Sequence, residues 1–302
     1  MHALRYPGMY TIAQFILTSW RSTSRVVLDA VDVLLSLIWH ALGRKPFRMG
    51  YMSHRRRMVK RCLERGDFGA VLPTGFGLRL DERIIEYPWV LQKLGTGSAT
   101  VLDAGSTLNF DFILQRPEMI TKQLFIATLA PELRAYTHLG VSYVFEDFRR
   151  SCFRADFFDV VACISTLEHV GMDNTRLYTA DVDKRERATN SYFDAIDEFR
   201  RILKPGGRLL ITVPYGVHTE HGWYQVFDEQ MVQDIAARLG ASSATYEYFR
   251  YGPEGWHRAT AAQCADAETF DVHTATTYTA DFLASARAIC CLELVKSPDL
   301  GI

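Results

Sequence analysis

Three stretches of this sequence set acids, glycines and imidazoles where they could hold a ligand or move a proton. Val101-Leu102-Asp103-Ala104-Gly105-Ser106 reads as an apolar strand running into a turn with an acid and a glycine. In open parallel sheets ligands lie outside the carboxyl ends of the strands, and a glycine there lets the backbone approach them closely. In the second stretch, the apolar strand Phe158-Asp159-Val160-Val161-Ala162-Cys163-Ile164 ends in Ser165, Thr166 and the pair Glu168-His169. The third, Tyr215 to Tyr224, holds His218, Glu220 and His221 beside Trp223 and Tyr224. A histidine in either place could act as general base toward a hydroxyl. His221 is the first candidate and His169 the second, although each also reads as a packing or surface residue. Trp223 and Tyr224 read either as a stacking platform for a sugar ring or as the core side of a lid. His218, Glu220 and His221 lack a further ligand at a readable spacing, so no metal is expected.

Short apolar runs that read as strands fall at 99–102, 124–129, 141–145, 158–164, 208–213, 246–251 and 288–295. Helical patterns occupy 80–94, where Pro88 is a potential kink, and the regions around 108–120, 131–139, 190–203 and 228–239. Leu203-Lys204-Pro205-Gly206-Gly207 stops a helix just before the fifth strand. The alternation predicts an α/β fold, a doubly wound, mostly parallel sheet with helices on both faces. With 302 residues, 48% hydrophobic and 23% charged, the chain is neither disordered nor low in complexity.

In this order and spacing, the D-x-G turn, the F-D-V-V strand ending near Glu168-His169, and the L-K-P-G-G turn resemble the class I S-adenosylmethionine-dependent methyltransferase family. The resemblance covers about residues 95–296. It implies a Rossmann-like, seven-stranded sheet whose last strand is antiparallel, and S-adenosyl-L-methionine as cofactor. By the same resemblance, Asp103 and Gly105 match the turn under the cofactor's methionine part. Asp147 sits where the family often places an acceptor for the adenine amino group, though it also reads as a solvated loop acid. Ile164, Ser165 and His169 match the wall beside the sulfonium. Two departures stand out. The family's D-x-G-x-G-x-G reads Asp103-Ala104-Gly105-Ser106-Thr107-Leu108-Asn109 here. The acid that closes the second strand and binds the ribose is replaced by Thr128, at a cost of about 1 kcal/mol or more in cofactor affinity. Asn109 or Glu86 would have to compensate. A looser resemblance, carried by residues 80–89, 214–216 and 222–228, is to methyltransferases of bacterial surface-glycan and exopolysaccharide gene clusters. It implies O-methylation of a sugar or lipid-linked glycan, with residues 214–228 and 252–286 walling the acceptor pocket. The competing reading, favoured by the lost glycines, is a non-catalytic methyltransferase-like binding module.

The overall formal charge is −1, and no global basic excess points to nucleic acid. Residues 1–65 nevertheless carry +9 and the remainder −10, a split that suggests different partners. A short apolar stretch spans 10–20. A longer one, 26–42, is interrupted only by Asp29, Asp32, Ser36 and His40, which share one narrow sector of a helix. A basic run follows, from Arg44 to Arg65. This pattern predicts a basic N-terminal helical extension over 1–70, before a methyltransferase domain over 71–302. The extension either lies on an anionic membrane with the four polar residues toward water, or packs on the domain or on a second copy in a homodimer. The two acids and the missing small-residue cleavage site argue against a signal peptide. The six cysteines form no C-x-x-C pair, so they read as reduced residues of a cytoplasmic protein, peripheral at the inner membrane surface if the extension binds lipid.

Overall fold

The computed structural model describes residues 27–132, 134–176, 180–271, 275, 277–283 and 286–298. The stretch at 10–20 and parts of 252–286 lie outside them. By internal contacts the chain divides into two compact units, 1–58 and 59–302, and the division falls within a helix.

In the first unit, helix α1 covers 27–41 and helix α2 (Tyr51–Arg65) begins. The polar stripe of α1 is split. Asp29 and His40 are exposed, whereas Asp32 and Ser36 are buried, at 4% and 2% exposure. Asp32 pairs with Arg56 at 3.4 Å. Ser36 Oγ lies 2.8 Å from His54 Nδ1, and Trp39 stacks on the same imidazole. The expectation that all four polar residues face water is therefore corrected for Asp32 and Ser36. Periodicity locates the stripe, but it does not reveal that α2 offers partners to it. The reversal between the helices depends on Gly50, at φ 83°, where a Cβ would overlap the Leu35 carbonyl. Val27, Leu28, Val31, Leu34 and Leu37 remain exposed.

The second unit is built on one eight-stranded sheet. Its elements run α3 (Arg83–Leu94), β1 (Ala99–Ala104), α4 (Asp111–Leu114), α5 (Pro117–Ile120), β2 (Lys122–Thr128), β3 (Ser142–Phe145), β4 (Phe158–Ile164), α6 (Tyr192–Ile202) and β5 (Leu203–Pro214). The hairpin strands β6 (Thr219–Glu220) and β7 (Gln225–Val226) follow, then α7 (Glu229–Leu239), β8 (Ala241–Gly252), β9 (Gly255–Ala259), α8 (Ala261–Cys264) and β10 (Ala288–Lys296). The strand order is β3-β2-β1-β4-β5-β10-β8-β9. Strands β1 to β5 pair in parallel, and β10 runs antiparallel to both β5 and β8. This is the mostly parallel sheet with an antiparallel last strand. The short β9, returning along β8 at the edge, adds an eighth strand.

Strand alternation sorts the core. Leu102, Val161, Cys163, Leu209, Ile211 and Val213 pack with Ile196 and Phe199 of α6 and Val232 and Ile235 of α7. The intervening residues, among them Thr212 and Cys291, face the other way, where Glu86 of α3 meets Thr212. Pro88 lies inside α3 without ending it. Pro117 divides 108–120 into two short helices by starting the second. The helix expected at 131–139 is only a 3-10 turn at Thr137–Leu139. Three to four residues of that pattern cannot hold a helix without packing. The Lys204-Pro205-Gly206-Gly207 segment is a bulge within β5 against β4, with Gly206 at φ 74°.

Candidate active site

Strand order reverses between β1 and β4, the switch point at which a parallel sheet opens a crevice. A cleft of about 510 Å³, open solvent at its mouth included, lies there. Its wall takes residues from the ends of four strands: Gly105 after β1, Thr128 on β2, Asp147 after β3, and Thr166 and His169 after β4.

The β1 turn is built by Asp103. Its fully buried carboxylate accepts from the backbone N–H of Thr107 at 3.2 Å and of Leu108 at 2.8 Å. Burial pushes its pKa up to about 7 against the opposing pull of those two bonds. Asp103 therefore shapes the loop from beneath and is not part of the cleft wall. Gly105 holds φ 113°, and a Cβ would overlap the Thr166 side chain. The glycine thus lets the β1 and β4 ends approach each other. Ser106 follows at φ 62°, with its buried hydroxyl lacking a hydrogen-bond partner. The positions where the family writes further glycines are occupied by working side chains. Thr107 Oγ1 donates to the Ile164 carbonyl, and Asn109 Nδ2 donates to Glu132 at 2.9 Å while its Oδ1 accepts from Tyr143.

Ile164 and Ser165 support the β4 end. Ser165, at φ 39°, donates its N–H to Thr212 and its hydroxyl to Glu86 at 2.5 Å. Glu86 is fully buried, accepts also from Thr212 Oγ1 at 2.6 Å, and pairs through its other oxygen with Arg83. Both oxygens are engaged, so Glu86 locks Ser165 and does not substitute for the missing ribose acid. Asn109 is likewise taken up, and the carboxylate it holds is that of Glu132.

Asp147 lines the far wall, gripped by Arg149. Arg149 also meets both oxygens of Glu186 at 2.6 Å. Burial would raise the Asp147 pKa, but the Arg149 guanidinium outweighs it and holds the carboxyl below its ordinary value. Arg149, Lys184 and Glu186 also belong to the wall, and the pairing of Arg149 with Glu186 spans 37 residues, too far along the chain for a single sequence to signal it.

His169, at 8% exposure, closes the near wall. Its Nδ1–H donates to the Trp223 carbonyl at 2.8 Å, so the neutral ring carries its lone pair on Nε2. Burial pushes its pKa down to about 4, and it stacks on Trp223. His221 is one ring further away. It stacks on Tyr224 at 4.4 Å and its Nε2 is buried without a hydrogen-bond partner. Burial lowers its pKa against the field of Asp271. Trp223 Nε1 donates to Asp271 at 3.0 Å, tying the hairpin to the segment before β10.

Residues 118–211 match the family model described as a methyltransferase domain. With the sheet order and the cleft at its switch point, that match decides the assignment. The chain carries a methyltransferase domain, matched over 118–211. No curated protein matches the sequence. Among solved structures, the methyltransferase is similar to the 1,6-didemethyltoxoflavin-N1-methyltransferase of Burkholderia thailandensis, at 13% identity over 98% of this chain and 93% of that one, TM-score 0.40. The N-methyltransferase NodS of Bradyrhizobium japonicum gives 14%, 72%, 96% and 0.41 in the same order. A phosphoethanolamine N-methyltransferase of Haemonchus contortus gives 15%, 71%, 53% and 0.44. The domain match and the topology carry the assignment, not these distant likenesses. The methyltransferase's own residues fit the cofactor of the family, S-adenosylmethionine. Gly105, the first glycine of the turn, is retained in its close approach to Thr166, and the Ser106 hydroxyl beside it is buried without a partner.

Proposed function

We propose that this methyltransferase uses S-adenosylmethionine to methylate a hydroxyl of a sugar or lipid-linked glycan, with 71–302 as the catalytic domain and 1–70 as an extension. The observation that carries the reading is the cleft at the ends of β1 to β4, closed by a neutral histidine beside two aromatic rings. S-adenosylmethionine supplies, when bound, a methyl group on an electrophilic sulfonium. Gly105, Ser106, Thr128 and Asp147 would hold it, with Ile164 and Ser165 beneath. His169 takes the acceptor's proton on Nε2, and its bond to the Trp223 carbonyl fixes that tautomer. Its position on the cleft wall favours it over His221. Trp223 and Tyr224 provide faces for a sugar ring. Orientation of acceptor and methyl group contributes the largest part of the acceleration.

The first unit supports a membrane-facing role on the cytoplasmic side. With Asp32 and Ser36 turned inward, α1 presents Val27, Val31, Leu34 and Leu37 outward, Leu34 and Leu37 at 58% and 60% exposure. The same unit carries Arg44, Lys45, Arg48, Arg55 and Arg57. Apolar area beside clustered cations suits an anionic bilayer. Among the described residues no helix is long and apolar enough to cross one.

Two measurements test these readings. Titration with S-adenosylhomocysteine should give saturable binding, and its absence at millimolar ligand leaves the binding-module reading. Anionic liposomes should sediment the protein at low salt, less so as salt rises. Leu34→Glu with Leu37→Glu should abolish co-sedimentation. A shift from dimer to monomer in that variant, without any liposome binding by the parent, would make the face a dimer contact.

A further inference from the structure

Two cavities meet at one ion-pair cluster. Asp147, Arg149 and Lys184 line the cleft at the switch point, and the same three residues line a second, outer groove of about 1290 Å³, open solvent included. The groove continues onto α6 through Asp194, Asp197, Glu198 and Arg201. The cluster is therefore the partition between cleft and groove. It also joins two walls. Asp147 and Arg149 follow β3, whereas Lys184 and Glu186 lie on the segment after the β4 turn. Arg149 Nη1 and Nη2 donate to the two oxygens of Glu186, each at 2.6 Å. Its Nε donates to Asp147 at 3.0 Å and its Nη2 at 2.5 Å. Lys184 Nζ adds a looser pair with Asp147 at 3.7 Å.

The segment that carries Glu186 is fixed at its base by backbone and held further out mainly by charge. At the base the Ala188 N–H donates to the Gly171 carbonyl at 2.7 Å. Gly171 holds φ 77°, and a Cβ there would overlap the Ala188 carbonyl. From residue 180 to residue 188 every residue is exposed except Lys184 and Glu186, which are half-buried, so the segment buries no apolar side chain. Its next backbone bond, from the Glu186 N–H to the Met172 carbonyl, is long at 3.4 Å. The pair of Arg185 with Asp173 is 3.5 Å, with the Arg185 side chain mostly exposed. A strap with so little buried area opens locally at small cost. The Arg149 and Glu186 side chains are 20% and 24% exposed, so water and salt reach the pair that fastens it.

We propose that the Arg149–Glu186 pair is an ionic gate between the cleft and the outer groove. When it parts, the strap 180–188 moves off Arg149, the two spaces join, and a ligand passes between them. This rests on the reading of the cleft as the S-adenosylmethionine site, so the ligand that passes is the cofactor or its product, S-adenosylhomocysteine. Asp147 keeps its hold on Arg149 in either state, so the gate opens on the strap side while the β3 wall stays formed. A gate that the ligand must pass scales entry and exit alike by its open fraction.

The test uses the full chain and Glu186→Gln, which removes the charge and keeps the shape. Surface plasmon resonance gives the association and dissociation rates of S-adenosylhomocysteine, and amide hydrogen exchange without ligand reads the strap itself. The variant should raise both rates, each by about fivefold or more, with affinity changing less than either rate. In the wild type both rates should rise with salt, and the variant should lose most of that dependence. Residues 180–188 should exchange faster in the variant, with β4 and β5 unchanged. Faster dissociation alone, with affinity falling by the same factor, would make Glu186 a cofactor contact and overturn the gate. Unchanged rates or unchanged exchange of the strap would overturn it as well. Absence of S-adenosylhomocysteine binding by the wild type, together with faster strap exchange in the variant, would instead reject the cofactor reading of the cleft and keep the ionic gate.

Discussion

Two regions around the sheet's switch point differ in how their polar groups are matched. On the side of β1, β2 and β3, Asp103, Asn109, Asp147 and Arg149 all have protein partners, while Ser106 Oγ and one carboxylate oxygen of Glu146, Oε1, are buried without one. On the side of α3, the β4 turn and the hairpin, Glu82, Glu168 and His221 each leave a buried polar atom unmatched. The first side is organised by its own hydrogen bonds and can receive a fixed, recurring ligand with little rearrangement. The second keeps buried polar atoms that no protein group matches.

Breaking the first side should have the largest effect. Gly105→Val meets both an unfavourable φ and the Thr166 side chain, and should weaken S-adenosylhomocysteine binding by about 100-fold or more, read by calorimetry. Adding Thr166→Ala should restore only part of this, because the strain at φ 113° persists. Unchanged binding in Gly105→Val would mean that the cofactor lies elsewhere.

At the boundary between the sides, His169→Ala should lower turnover by about 10²-fold with little change in S-adenosylhomocysteine affinity. Since the folded-state pKa is depressed to about 4, the ring stays neutral across the neutral range. The wild-type rate should therefore not fall through protonation of His169 between pH 8 and pH 6. The same depression stabilises the fold fully above pH 6.5, and that contribution is lost as pH falls toward 4. An acid limb centred near 6.5 would transfer the base role to another group.

The second side predicts a stability effect of opposite sign. Glu82 has a raised folded-state pKa of about 7, so its contribution is fully present below about pH 4.3 and is lost as pH rises through 7. Glu82→Gln removes the ionisation cost. It should match wild type near pH 4 and exceed it by on the order of 1–3 kcal/mol at pH 8 in denaturant unfolding. Equal pH profiles would show that Glu82 ionises normally.

The smallest change is expected from Arg149→Ala. It leaves Asp147 and Glu186 facing each other without their shared cation, half-buried and partly screened by water. A loss of about fivefold in S-adenosylhomocysteine affinity should follow, easing as salt rises. A loss as large as that of Gly105→Val would make Arg149 a direct cofactor ligand.

Much of the fold was legible in the sequence because strands buried on both faces write themselves as apolar runs. Val160 to Ile164 and Leu209 to Val213 are two of them, and the parallel order follows from the helices between. The helix read at 131–139 failed because an apolar pattern that short is stabilised only by packing, which this segment lacks. Gly105, Thr128, Asp147 and His169, which the family resemblance singles out, all line the cleft, each at or just after a strand end. Glu86 was found for the wrong task. Its pattern marks a buried helix position, and only the fold shows Ser165 and Thr212 on its oxygens.

The sequence by itself determined the strand periodicity, the D-x-G turn, the charge split and the position of the polar stripe on α1. All of these depend on neighbours within a few residues, where backbone geometry fixes the relation. Tertiary structure decided which polar groups are satisfied. Arg149 finds Glu186 after 37 residues, Ser165 finds Glu86 after 79, and Asp32 finds Arg56 on the next helix. Glu82 and Glu168 each bury a carboxylate oxygen without any such partner. Whether a buried charge has a partner depends on three-dimensional distance and local dielectric, and neither is written in the order of residues along a chain.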